Sequence, residues 1–291
     1  MFKKASVTFV SRLSNSGFAH IHSGERRSLD SIKLFLSGYK GGSVDLVKQE
    51  NGIAHLVLNH PERRNALSGS MMVDLADAVD ELERWEEGIG LVLMGAANES
   101  RVFCSGGDLK TVEKISGPEF GFDMSVLMNE TTEKLGKLPL VSVCLVDGKA
   151  VGGGAELTTT TDYRLATMGS SVAFVQARMG VAPGWGGARR LVRLVGRQKA
   201  LELLLSCQKI DTEMGSKIGF FDGIISNETT SVVQAAEKFL QDKFVGVDPS
   251  VVRAMKRMMV NNDPEQEARI FAPLWGGPAN QEALLKNIKH R

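Results

Sequence analysis

From Ser43 onward, apolar and polar positions follow a repeating order of strand, strand, helix. Val44 to Gln49 and Ile53 to Leu58 flank Asn51-Gly52, which predicts a hairpin closed by a two-residue turn. Met72, Leu75, Ala76, Val79 and Leu82 then recur three and four apart as far as Trp85, the period of a helix with one buried face. The apolar runs Gly90 to Gly95 and Leu140 to Val146 read as buried strands. Between them, Ser116 to Lys137 is more variable, and its middle reads as helix.

The later part of the chain continues the alternation. A short helix is expected from about Gly153 to Thr161, and strands over Asp162 to Thr167 and Val172 to Val175. Helices follow at 188–195, 197–206 and 212–218, then a strand at 223–226 and amphipathic helices at 230–243, 249–261 and 278–289. Strands alternating with helices predict a parallel sheet with crossover connections, an α/β fold.

Composition narrows the class. The chain has 291 residues, is 43% hydrophobic and carries a net charge of +1, enough for one sizeable core. Basic residues are scattered, which argues against nucleic acid, and no run approaches a membrane span. Cys104, Cys144 and Cys207 read as buried thiols in a reducing compartment. Residues 1–24 hold Lys3, Lys4, Arg12, five serines and no acid, the composition of a mitochondrial presequence and equally of a disordered leader. Residues 1–42 are therefore set aside as leader, with a short helix possible at 28–37; 43–245 form the core and 246–291 a helical region.

Known loop chemistries are missing. Leu157 stands where a third Rossmann glycine belongs, no Walker lysine follows a glycine loop, and there is no Gly-x-Ser-x-Gly elbow. The histidines are unpaired with acids at helical spacing, so no metal site is expected. Two glycine turns carry the chemistry instead. Phe103-Cys104-Ser105-Gly106-Gly107-Asp108-Leu109-Lys110 follows one strand, and Gly152-Gly153-Gly154-Ala155-Glu156 follows another. Each offers backbone N–H groups, and the second adds a carboxylate at a helix start, the ingredients for stabilising an oxyanion.

These turns, with Asn59-His60-Pro61-Glu62-Arg63-Arg64-Asn65-Ala66-Leu67 upstream and Pro183-Gly184-Trp185-Gly186-Gly187 downstream, resemble the crotonase (enoyl-CoA hydratase/isomerase) superfamily over residues 43–262. The resemblance implies the crotonase (ClpP-like) spiral of β-β-α units with a C-terminal helical oligomerisation region, and a homotrimer or hexamer. It implies that Gly107 and Gly153 grip a thioester oxygen. Arg63, Arg64, Ala66, Leu67, Gly107, Asp108, Leu109 and Lys110 would contact the CoA part of the substrate.

Glu156 matches the first glutamate of the water-adding members. The second falls on Arg178 in Val175-Gln176-Ala177-Arg178, and an arginine cannot serve as general acid or base near neutral pH. Arg178 is expected to fix Glu156 or the pocket wall, or else to clamp a substrate carboxylate. Gly41 to Leu46, Gly152 to Thr159, Phe174-Val175, Gly184 to Gly187 and Trp275-Gly276-Gly277-Pro278-Ala279-Asn280 look like a decarboxylating branch of that superfamily. The implied reaction is loss of CO₂ from a 2-carboxyacyl-CoA such as ethylmalonyl-CoA or methylmalonyl-CoA, without metal or organic cofactor, as metabolite repair in the cytosol. Ala155 and Ala177 would leave room for an α-alkyl group. The alternatives are a hydratase or isomerase of unsaturated acyl-CoA, a non-catalytic CoA- or RNA-binding relative, and a mitochondrial-matrix location.

Overall fold

A computed structural model describes residues 27–226, 231–260 and 263–286. Helix α1 (Leu29–Ser37) precedes the antiparallel hairpin of β1 (Ser43–Lys48) and β2 (Ile53–Asn59). The hairpin turns at Asn51-Gly52, but through three residues and not the two expected: Gln49 donates to the Ile53 carbonyl across the strands, Gly52 donates to the Gln49 carbonyl and adopts φ +78°, and Asn51 Oδ1 accepts from the Ile53 amide. Ser68 Oγ accepts from the Met71 amide to start α2 (Gly69–Glu83), which buries Met72, Leu75, Val79 and Leu82 and leads to β3 (Gly90–Gly95).

From β3 the path is a spiral that visits a large sheet and then a small one. β3 is followed by β4 (Val102–Cys104), α3 (Leu109–Lys114) and α4 (Pro118–Lys137). β5 (Val141–Val146) leads to β6 (Lys149–Val151) and α5 (Gly153–Thr158), and β7 (Tyr163–Thr167) to β8 (Ser171–Ala173). A one-turn 3₁₀ helix (Gln176–Met179), α6 (Gly187–Val195), α7 (Arg197–Ser206), β9 (Ile210–Asp211), α8 (Thr212–Lys217) and β10 (Gly223–Ile225) complete the core.

The large sheet runs β1-β2-β3-β5-β7-β10 and the small one β4-β6-β8-β9. Among the described residues only β1/β2 and β8/β9 pair antiparallel. This is the β-β-α spiral that the resemblance implies. Alternate residues of the central strands fill opposite faces: Leu91 and Leu93 belong to the main core cluster with the buried residues of α2, whereas Val92, Val143 and Leu145 share a second cluster with Ala236 and Leu240 of α9 (Val232–Phe244). α10 (Pro249–Val260) is fixed by Arg253, which donates to the Trp85 and Gly88 carbonyls, and by an ion pair of Lys256 with Asp162. α11 (Pro264–Phe271) and α12 (Pro278–Leu285) bury none of their residues.

Two expectations change. Residues 29–37 are not leader: Ile32 and Leu36, four apart on one face of α1, are buried against α2 and α4. The presequence reading of residues 1–24 lies outside the described residues. The small sheet was not foreseen as a separate layer, because strands of two or three residues carry no measurable periodicity. All three cysteines are free and buried, as the sequence suggests.

Candidate active site

The first glycine turn is held by strand-like pairing with the loop that follows β2. Ser105 donates to the Arg64 carbonyl (3.1 Å), Leu67 to the Gly106 carbonyl (2.8 Å) and Asp108 to the Leu67 carbonyl (2.8 Å). This parallel bridge between Leu67 and Gly107 uses the peptide groups on either side of Gly107. The Gly107 N–H therefore faces away from the bridge. Asp108 closes the turn by accepting from the Thr111 amide at the start of α3 and from Arg63 Nη2 at 2.9 Å. Burial pushes its carboxyl up, but the bonds from Arg63 and Thr111 outweigh it and hold the group below the usual range.

The second turn packs directly on the first. Gly152 adopts φ +58°, and α5 opens at Gly153, whose N–H has no acceptor earlier in the helix. An ideal Cβ on Gly106 would stand 3.0 Å from Gly153 N, and one on Gly154 only 2.1 Å from the Cys104 carbonyl oxygen. Glycine is needed here for close approach of two backbones. The ring of Trp185 lies against both: it would meet a Cβ of Gly153 at 2.3 Å and one of Gly107 at 3.9 Å.

Glu156 sits one turn into α5 and is 2% exposed. Its Oε2 accepts from the Trp185 and Gly187 amides, each at 2.9 Å, and its Oε1 from Gln176 Nε2 at 2.9 Å. Burial pushes this carboxyl above the usual range, against the pull of the two amides, Gln176 and the nearby Arg190 cation. Arg190, buried in α6, donates to the carbonyls of Trp185 (2.7 Å) and Glu156 (3.3 Å) and to the hydroxyls of Thr159 (2.9 Å) and Thr132 (3.0 Å). Ser125 and Asn129 of α4 both donate to the Gly184 carbonyl at 2.7 Å. The glycine-rich loop that presents two amides to Glu156 is thus fixed from two helices.

The enoyl-CoA hydratase/isomerase family profile matches residues 48–272. The chain belongs to that family. Ethylmalonyl-CoA decarboxylase of Xenopus laevis is 42% identical over 268 residues, covering 89% of this chain and 88% of the relative. The protein of that name from Mus musculus is 41% identical, covering 98% and 90%. The crystal structure of an enoyl-CoA hydratase from Bacillus anthracis superposes with a TM-score of 0.73 at 22% identity, covering 84% of this chain and 96% of that one. An enoyl-CoA hydratase from Thermoplasma volcanium gives 0.72 at 25%, covering 84% and 97%.

In this family member the residues expected at the site divide into three groups. Gly107, Gly153 and Glu156 come together around Trp185. The loops carrying Arg63, Arg64, Ala66, Leu67, Asp108, Leu109 and Lys110 are adjacent, but Ala66 and Leu67 are buried, Arg63 is engaged by Asp108, and Arg64 and Lys110 are the exposed cations. Arg178 stands apart. It is exposed, and its Nη2 donates to the Ser206 carbonyl at 3.3 Å.

The expectation that Arg178 fixes Glu156 is therefore corrected: the partner is Gln176, two residues earlier. In a turn with about 3 residues per rotation, positions two apart point in different directions, so Gln176 faces inward while Arg178 faces out. Ala155 packs into the core, and Ala177 is exposed. Sequence reasoning missed Gln176, Trp185 and Arg190 as site residues. Cys104 beside the turn is pushed up to about 12 by burial, which suits a packing residue and not a nucleophile.

Proposed function

We propose that this chain removes CO₂ from a 2-carboxyacyl-CoA, with ethylmalonyl-CoA as the preferred substrate and methylmalonyl-CoA as a second. The observation that carries the reading is identity of 41–42% to proteins named ethylmalonyl-CoA decarboxylase across 89% or more of the chain. The site's chemistry supports it. With the thioester oxygen between the Gly107 and Gly153 amides, cleavage of the Cα–carboxylate bond sends its electron pair into a thioester enolate that those amides stabilise. Donors placed for the enolate act on the transition state more than on the substrate. Glu156 then gives a proton to the α-carbon.

Hydration fits less well, because adding water calls for a paired acid and base. The side chain facing Glu156 is the neutral amide of Gln176. The thioester serves as electron sink, so this mechanism requires no further cofactor. Arg64 and Lys110, exposed on neighbouring loops, are suited to CoA phosphates. The proposal extends to metabolite repair in fatty-acid metabolism, a cytosolic location and a trimer or hexamer. Among the described residues no helix is long and apolar enough to cross a membrane.

The test is to incubate the protein with ethylmalonyl-CoA and methylmalonyl-CoA and to identify the thioester products by mass spectrometry. Butyryl-CoA and propionyl-CoA are expected, with the first formed faster. Unchanged substrates would overturn the reading.

A further inference from the structure

The two oxygens of Glu156 are held unequally. Oε2 accepts two backbone N–H groups, from Trp185 and Gly187, on a loop that Arg190 fixes in turn. Those donors cannot turn away, so a proton on Oε2 would displace a hydrogen bond that the loop cannot re-form elsewhere. Oε1 has a single donor, the Gln176 side chain, which can rotate about its last bond. Gln176 is itself 92% buried, since its exposure is 8%, and its own Oε1 has no hydrogen-bond partner among the described residues. A buried carbonyl left unpaired is costly, and the neighbouring acid offers a reason for it.

We propose that Glu156 Oε1 is the oxygen that carries and delivers the proton, and that Gln176 is the positioning residue that pairs with it in both of its protonation states. This rests on the reading that Glu156 protonates the α-carbon. When Glu156 is ionised, Gln176 Nε2 donates to Oε1, as observed. When Glu156 is protonated, a half-turn of the amide presents the unpaired Gln176 oxygen to the acid O–H. In the reaction, CO₂ leaves with cleavage of the Cα–carboxylate bond, the electron pair enters the enolate, and the Oε1 proton passes to the α-carbon. Glu156 is left as a carboxylate, to which Gln176 turns its N–H, and solvent later returns the proton.

The surroundings permit this cycle. Arg190 is the cation acting on Glu156, and it spends its donors on carbonyls and threonine hydroxyls instead of on the carboxylate oxygens. Cys104, packed beside α5, is a neutral thiol. Burial that raises the Glu156 carboxyl keeps its protonated form accessible.

The experiment compares wild type, Gln176→Leu and the isosteric Gln176→Glu in three readouts. These are kcat and KM for ethylmalonyl-CoA against pH, deuterium placement in butyryl-CoA formed in D₂O, and exchange of the α-protons of butyryl-CoA itself. Removing the donor to the carboxylate raises the Glu156 pKa, so the high-pH limb of kcat should move upward in both variants. In Gln176→Leu, kcat should fall about tenfold with KM within about twofold. Wild type should place deuterium at one prochiral position, and Gln176→Leu at both.

Unchanged pH limbs and single-position labelling in both variants would overturn the proposal. Gln176→Glu keeps the shape of the site should Gln176→Leu fold poorly. If wild type releases no CO₂, the decarboxylase reading fails separately, and the α-proton exchange still decides the role of Gln176: it should slow in the variants if the proposal holds and stay level if it does not.

Discussion

The ring of Trp185 fills the space that a side chain on Gly153 would need: an ideal Cβ there would stand 2.3 Å from ring carbon Cζ3. One aromatic residue thus packs on the proposed oxyanion donor while its backbone N–H donates to Glu156, the proposed proton donor. Gly153→Ala should displace the ring, the donor and Glu156 together. We expect kcat to fall by about 10²–10³ and stability by about 1–3 kcal/mol. Kinetics and thermal melts check this, and adding Trp185→Leu should restore more stability than independent effects allow.

Glu156→Gln should keep CoA binding while turnover falls at least about 100-fold. It should also flatten the pH dependence of stability. The Glu156 pKa is raised by burial above its ordinary 4.5, so the folded state binds this proton more tightly than the unfolded chain does. Its contribution to stability is full below 4.5 and is lost as pH rises through the raised folded value. Denaturant midpoints of wild type and variant, measured from about pH 4 to pH 8, should therefore diverge in the variant's favour as pH increases.

Arg190→Lys keeps the charge but loses the planar fork that reaches Thr132, Thr159 and the Glu156 and Trp185 carbonyls. A loss of about 2–3 kcal/mol in stability is expected, as several buried acceptors lose their donor. Because the loop holding Glu156 loosens, kcat should drop more than KM rises. Equal stability with unchanged kcat would show that the loop holds without Arg190.

Arg178→Met should leave kcat and KM within about twofold and stability within about 0.5 kcal/mol, since Arg178 is exposed and reaches only the Ser206 carbonyl in the described structure. A large KM increase would return Arg178 to the site as a substrate clamp.

Much of this architecture was legible because its signals are local. The Asn51-Gly52 turn signal, the buried stripe of α2 and the two glycine turns each lie within a dozen residues, and the structure has a hairpin, a buried face and two turns at those positions, the hairpin loop one residue longer than read. What escaped depends on distant partners. Arg190 sits between Arg189 and Arg193 and looks like part of a solvated basic face, yet it is buried because Thr132, Thr159 and two carbonyls supply its acceptors. Thr158, Thr159 and Thr160 are buried because their hydroxyls bond back to carbonyls three residues earlier. Gln176 was passed over for Arg178 because matching one position to a family pattern does not say which way a single 3₁₀ turn points its side chains.

The most direct test of decarboxylation at this site is the rate of CO₂ release from ethylmalonyl-CoA beside the rate of crotonyl-CoA hydration, with Glu156→Gln as control. Rapid CO₂ release, negligible hydration and loss of CO₂ release in the variant are the predicted result. Hydration without CO₂ release would contradict it, and would require a second acid or base that the Gln176 amide cannot supply.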